Sequence, residues 1–122
     1  MGGGGAKTVL VVDDDASLRL LCRVNLELEG YRVVEADSLA GAREALGAGG
    51  VDGMLLDIHL GDGDGRDLIR SLGADRPPVA FFTGSAQADP QLRSLVEGVL
   101  PKPFTLDALT ETVRRLVTGP GV

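Results

Sequence analysis

Three consecutive carboxylates, Asp13, Asp14 and Asp15, follow directly on an apolar run, Val9-Leu10-Val11-Val12. A fourth, Asp57, closes another apolar run, Met54-Leu55-Leu56. Carboxylates brought together repel one another, and a hard cation relieves that repulsion. Oxygen-only donors of this kind suit Mg2+, which typically takes one or two carboxylates, a carbonyl and waters. The Asp-Asp-Asp run equally suits the start of a helix, where it caps free amides and meets the positive end of the helix dipole. The two uses are compatible. A carboxylate is also a nucleophile toward phosphorus, and the product is an acyl phosphate. Such a transfer brings two anions together, so it needs positive charge and hydrogen-bond donors around the phosphoryl oxygens. Lys102, one of two lysines, lies between Pro101 and Pro103 and offers an ammonium; Thr83, before Gly84, offers a hydroxyl. Taken singly these are ordinary residues, a surface charge and a turn. What sets them apart is that each follows or ends an apolar run.

Those runs are the elements that must position the set. Residues 8–12 are rich in β-branched side chains, as in a buried parallel strand. A helix is predicted over residues 17–29, with Leu18, Leu21, Cys22 and Leu28 near one face and Gly30 as its stop. Residues 32–36 form a second strand, and Ser38 caps a second helix that runs through Ala42, Ala45 and Leu46. Residues 53–56 form a third strand ending at Asp57, followed by a glycine-rich loop over 61–65 and a helix over 66–72. A fourth strand covers 79–82, a short helix 90–96, a brief fifth strand 99–100 and a last helix 106–117. Strands alternating with helices predict an α/β fold with a parallel sheet covered on both faces. In such sheets ligands bind beyond the carboxyl ends of the strands. Asp13, Asp14, Asp57, Thr83 and Lys102 all fall there.

The 122 residues carry a formal charge of −6. That length suits one domain, here residues 7–118, with 1–6 as a flexible leader and 119–122 as a tail. An acidic balance disfavours direct binding to nucleic acid or anionic membrane, since both need clustered Lys and Arg. No apolar run reaches the roughly 18 residues of a membrane span. One cysteine, Cys22, precludes an internal disulfide and fits a reducing cytoplasm.

The ordered set resembles the receiver domain of two-component response regulators. Val-Leu-Val-Val-Asp-Asp (9–14), Leu-Leu-Asp (55–57), Asp-Gly-Asp-Gly (62–65), Phe-Phe-Thr-Gly (81–84) and Lys-Pro-Phe (102–104) carry the resemblance. It implies a flavodoxin-like, doubly wound (βα)5 three-layer sandwich with strand order 2-1-3-4-5, an order for which the chemotaxis member of this family is a standard example. It implies Asp57 as phosphoacceptor and a Mg2+ site from Asp13, Asp14, Asp57 and the main-chain carbonyl of His59, with Mn2+ as an accepted substitute. Thr83 would be the switch hydroxyl and Lys102 the phosphate-pairing lysine. The implied protein is a bacterial, cytoplasmic phosphorelay component that promotes its own Mg2+-dependent phosphorylation and dephosphorylation. Its phosphoryl donor would be a histidine kinase or histidine phosphotransfer protein, and its output altered binding to a downstream protein. A monomer or weak dimer is expected, either a stand-alone regulator or a receiver cut from a hybrid kinase.

The chain departs from that pattern in places. Val99 stands where many members carry Tyr or Phe, so an aromatic rotamer switch is not available. The span from Thr83 to Lys102 is short, leaving about two turns for the fourth helix. Gly61 replaces a frequent proline, which implies a more mobile loop. His59 reads as a loop side chain that limits water access, Phe104 as a packing anchor for the lysine turn, and Cys22 as a buried thiol. Two other readings compete: a receiver-like binding module that needs no phosphate, and a flavin mononucleotide carrier of the same fold class. The complete acidic, hydroxyl and lysine set disfavours the first. The Asp run beside any bound phosphate, and only 3% aromatic residues for flavin stacking, disfavour the second.

Overall fold

Alternate residues of the strands point to opposite faces, and here both faces are buried. The computed structural model describes residues 5–84 and 90–118. In Thr8–Val12 (β1), Leu10 and Val12 enter one core while Val9 and Val11 enter another. Gly53–Asp57 (β3) sends Met54 and Leu56 to the first and Leu55 to the second. Val79–Thr83 (β6) divides in the same way, with Val79 and Phe81 opposite Ala80 and Phe82. Each such fully buried Val, Leu or Phe contributes about 1.5–3 kcal/mol of hydrophobic stabilisation. This explains why the central strands read as continuous apolar runs rather than alternating ones.

Arg32–Ala36 (β2) and Gly98–Pro101 (β7) complete a parallel five-stranded sheet in the order β2-β1-β3-β6-β7. His59–Leu60 (β4) and Gly63–Asp64 (β5) pair separately as a small antiparallel hairpin. With that hairpin set aside, the order is the expected 2-1-3-4-5. Leu39–Ala48 (α2), Gly65–Leu72 (α3) and Pro90–Leu95 (α4) cover one face through Leu39, Ala42, Leu68, Ile69 and Leu92. Ala16–Leu28 (α1) and Leu106–Thr118 (α5) cover the other through Cys22, Leu26, Leu109, Val113 and Leu116.

Some expectations change. The glycine-rich segment is not a plain loop, since it contains the β4–β5 hairpin. The inward stripe of α1 runs through Leu18, Cys22 and Leu26; Leu21 and Leu28 are 43% and 79% exposed. This helix carries apolar residues on two sides, so hydrophobicity alone does not identify the core face. The second helix runs through Gly47 and Ala48 before Gly49 ends it at φ 82°. Strand and helix limits otherwise move by a residue or so. Asp15 is the N-cap of α1, its carboxylate accepting from the amides of Ser17 and Leu18. The predicted leader is described only from residue 5, and the tail 119–122 lies outside the described residues. No helix among the described residues is long and apolar enough to cross a membrane.

Candidate functional site

The strand order sets the site. β1 pairs with β3, β3 with β6 and β6 with β7, all parallel, so their carboxyl ends form one row. Asp13 leaves the end of β1, Asp57 is the last residue of β3, Thr83 the last of β6, and Lys102 follows β7. One carboxylate oxygen from each of Asp13, Asp14 and Asp57 lies within 4.8 Å of the others. The Asp triplet therefore divides its work: Asp13 and Asp14 face the cluster while Asp15 caps the helix that follows.

Asp13 is the structural centre of this group. Its side chain is 1% exposed. Its Oδ1 accepts the amide of Asp15 at 2.9 Å and its Oδ2 accepts Lys102 Nζ at 2.8 Å. Its main-chain carbonyl accepts Arg19 Nη1 at 2.7 Å, and its amide donates to the carbonyl of Ala36. A buried carboxylate of this kind is tolerable only when paired and hydrogen-bonded. Lys102 Nζ also lies 3.8 Å from Asp57 Oδ2, so two of the three carboxylates share one ammonium.

The lysine is held from behind. Its amide donates to the Thr83 carbonyl at 2.7 Å. Its ammonium lies 5.4 Å from the centre of the Phe82 ring, within cation–π range. Phe104 stacks on Phe82 at 5.6 Å between ring centroids, which makes it the anchor of the lysine turn. The Lys102–Pro103 peptide within that turn is cis. Thr83 is buried at the end of β6, one residue past Phe82, the register partner of Asp57. Val99 lies within β7 opposite Phe81, and no aromatic takes its place there.

Charge crowding shows in the titration of the group. Burial pushes the Asp57 carboxyl above its ordinary value, and the negative charge of Asp13 pushes further, against the opposing pull of Lys102 and of the His59 amide. Burial opposes the charge on Lys102, but its hydrogen bond to Asp13 and the charges of Asp13, Asp57 and Asp14 outweigh that, and the ammonium is held above its usual range. Cys22 behaves differently: burial pushes its thiol up to about 12, which leaves it inert as a nucleophile.

The segment after Asp57 is closely fitted. The His59 amide donates to Asp57 Oδ1 at 3.3 Å, while its imidazole is exposed. Gly65 donates to the Ile58 carbonyl at 2.7 Å, and a Cβ at Gly65 would lie 2.6 Å from the Asp57 carbonyl oxygen. The start of α3 thus fits under the acceptor only without a side chain. Two contributors are not apparent from sequence alone. Phe82 reads as strand core, yet it also faces the ammonium. Asp62 reads as a loop residue, yet its carboxylate accepts from the amides of Leu39 and Ala40 across 23 and 22 positions of chain. No local pattern reveals contacts at that separation.

The oxygen donors fit a hard divalent cation. Three crowded carboxylates, of Asp13 buried, Asp57 half-buried and Asp14 exposed, outnumber the one ammonium that pairs with them, and among the described residues no soft ligand joins them.

Comparison with known proteins identifies the family and the fold. A family model described as response regulator receiver domain matches residues 9–114. The chain is 32% identical to the phosphate regulon transcriptional regulatory protein PhoB of Pseudomonas aeruginosa, over 94% of this chain and 54% of that protein. It is 36% identical to the swarming motility regulation protein RssB of Serratia marcescens, over 87% of this chain and 51% of the relative. It is 35% identical to the sensor kinase CckA of Brucella abortus, over 93% of this chain but only 13% of that protein. The chain therefore spans about half the length, or less, of these curated relatives. Among solved structures, the signal receiver domain of a response regulator from Bermanella marisrubri superposes with TM-score 0.83 at 30% identity, covering 92% of this chain and 98% of that one. Chemotaxis response regulator CheY4 of Vibrio cholerae shares the fold at TM-score 0.81 and 22% identity, over 91% of this chain and 98% of that one.

Proposed function

We propose that this chain, which belongs to the response regulator receiver domain family, accepts a phosphoryl group on Asp57 and thereby switches its binding to a downstream protein. The observation that carries this reading is the convergence of Asp13, Asp14, Asp57 and Lys102 at adjoining strand ends. The donor is a histidine kinase or a histidine phosphotransfer protein of a two-component system, in the cytoplasm.

The chain's residues have distinct tasks. A carboxylate oxygen of Asp57 attacks the phosphorus of a phosphohistidine. The P–N bond breaks, its electron pair stays on the imidazole nitrogen, and that nitrogen takes up a proton from solvent. Asp13, Asp14, Asp57 and the His59 carbonyl would hold Mg2+, or Mn2+ in its stead. When bound, that cation neutralises charge between acceptor and phosphoryl oxygens. Lys102, already 3.8 Å from Asp57, supplies the second positive charge. Thr83 supplies a hydroxyl from the neighbouring strand end.

Switching follows from charge. Phosphorylation adds about −1.5 to −2 at Asp57. Lys102 now divides its pairing between Asp13 and the new group, and its main-chain tie to Thr83 couples β7 to β6. With Val99 in β7, output runs through movement of the backbone and helices rather than rotation of an aromatic ring. Two arrangements differing in these contacts give a partner something to read.

The decisive test is intact-protein mass spectrometry after exposure to acetyl phosphate, or to a panel of phosphorylated histidine kinases, with Mg2+. One phosphoryl group is expected, lost in Asp57→Ala and in the presence of a chelator. Persistence of the adduct in Asp57→Ala would overturn the assignment.

A further inference from the structure

We infer that Asp62 is a positioning residue for the acidic site: its carboxylate latches the 59–64 hairpin onto the N-terminus of α2 and so fixes the main chain of His59 beside Asp57. The inference rests on the function proposed above and adds to it a residue outside the acidic cluster.

The latch is bidentate. Asp62 Oδ1 accepts the Leu39 amide at 2.9 Å, and Oδ2 accepts the Ala40 amide at 3.1 Å. The next amide, of Gly41, donates to Ser38 Oγ at 3.0 Å. The first amides of a helix have no partner within it, so α2 meets this need with one local cap and one supplied from the acceptor segment. The carboxylate also sits at the positive end of the helix dipole, where negative charge is favoured. Its two amide donors hold the Asp62 carboxyl below the usual range.

Packing seals the contact. Gly63 adopts φ 150°, and a Cβ there would lie 2.8 Å from Leu39 Cδ1. Leu60 is buried in the same core as Leu39 and Ala42. At the other end the hairpin is tied to the acceptor: the His59 amide donates to Asp57 Oδ1, and Gly65 donates to the Ile58 carbonyl. His59 thus lies between two anchors. One is Asp57 itself and the other is Asp62, bound to the first amides of α2. The intervening Gly61 and Gly63 have no side chains with which to hold the segment, which is where the sequence pointed to mobility. The latch supplies the rigidity those glycines lack.

A ligand-bearing segment must hold its carbonyl in place before a cation arrives. Loss of supporting partners around a metal site typically costs about 10–100-fold in affinity. Asp62 acts one step further out, through main chain, so we expect about a three- to tenfold weaker Mg2+ affinity in Asp62→Ala. Asp62→Asn keeps one acceptor oxygen for two amides and should fall between. Ser38→Ala is the control: it removes a cap from the same helix and leaves the hairpin untouched.

Mg2+ titration of the unphosphorylated chain by calorimetry reads the effect without any activity. Thermal unfolding and amide exchange at residues 39–41 are followed alongside. Expected results are similar losses of stability in Asp62→Ala and Ser38→Ala, with weakened Mg2+ binding only in the Asp62 variants. Equal Mg2+ weakening by Ser38→Ala, or none in either Asp62 variant, would overturn the inference and leave Asp62 a helix cap alone. If Asp62→Ala does not fold, Asp62→Asn against Ser38→Ala makes the same decision. Absence of Mg2+ binding in the wild-type chain would instead overturn the site itself, and the inference with it.

Discussion

Replacing Asp57 by asparagine should stabilise the metal-free fold even as it removes the proposed acceptor. Asp13, Asp14 and Asp57 hold carboxylate oxygens within 4.8 Å of one another. At an effective dielectric of about 20, each such pair repels by about 3.5 kcal/mol. Lys102, 3.8 Å from Asp57, returns about 4 kcal/mol on the same scale. It is bonded more closely to Asp13, and Asp14 is exposed, so solvent reduces the last repulsion. The raised Asp57 carboxyl shows the balance: burial and Asp13 outweigh Lys102 and the His59 amide. Asn keeps an acceptor for that amide and loses the charge. The net gain should be about 1–2 kcal/mol, or about 3–10 °C in Tm for a domain of this size.

Thermal unfolding by circular dichroism, in chelator and in Mg2+, measures the gap. A cation at ten times its Kd stabilises the wild-type chain by about 1.4 kcal/mol, while the variant has lost one ligand, so the gap should close or reverse. The pH dependence has a defined sign. Burial and the neighbouring Asp13 charge make Asp57 titrate higher in the folded chain than its ordinary value of 3.8. Its charge therefore costs stability above that raised value, and the cost disappears as pH falls through the raised value and on toward 3.8. Wild type and variant should thus converge near pH 4. A variant no more stable than wild type in chelator, or a gap indifferent to both Mg2+ and pH, would refute the reasoning.

Three further outcomes are expected. Lys102→Ala should leave Asp13 buried without its ammonium and lower metal-free stability by about 1–3 kcal/mol by denaturant unfolding; it should retain Mg2+ binding but weaken the spectral change on phosphorylation, and an unaltered change would count against its role. Gly65→Ala must displace the Asp57 carbonyl, 2.6 Å from the new Cβ, so about 1–3 kcal/mol of stability and much of the acetyl phosphate reactivity should be lost together; loss of neither would show that α3 shifts freely. Leu20, Leu21, Val24 and Leu28 expose an apolar stripe on α1, whose cap Asp15 adjoins the acidic cluster; under the proposed function a protein donor must approach Asp57 past this face, and if it docks there Leu20→Glu with Val24→Glu should slow phosphotransfer from a phosphorylated histidine kinase by about tenfold or more and leave the acetyl phosphate rate unchanged, whereas equal effects on both would refute the docking role.

What the sequence revealed follows physical range. The central strands were legible because both faces are buried, so their side chains are apolar without interruption. That Asp13, Asp57, Thr83 and Lys102 fall at strand ends was legible because each sits where such a run stops. The strand order is not a local property, and it entered through resemblance to a family. The face of α1 was misread because Leu21 and Leu28 are as apolar as Leu18 and Leu26; only packing against α5 and the sheet separates them. The β4–β5 hairpin has two residues per strand, too few for any periodicity. Asp62 resembles any loop aspartate until α2 is folded beside it.

The acidic site departs from the rules of stability in another way, because charge is gathered there against its own repulsion. Asp13 is buried and paired and Asp57 is held above its ordinary titration, both beside a lysine that two of them share. A sequence selected for stability alone would neutralise one of these carboxylates. Retaining all of them keeps the metal-free fold less stable than it needs to be, by the amount that Asp57→Asn should recover. Many of the other carboxylates are spread over the surface and neutralised in pairs, such as Glu35 with Arg19 and Glu111 with Arg114. Those concentrated at the strand ends are the ones that a cation, and then a phosphoryl group, can act upon. The repulsion at Asp57 therefore costs stability in chelator and favours a cation, so substitutions that relieve it at this cluster should gain stability in chelator and respond less to Mg2+.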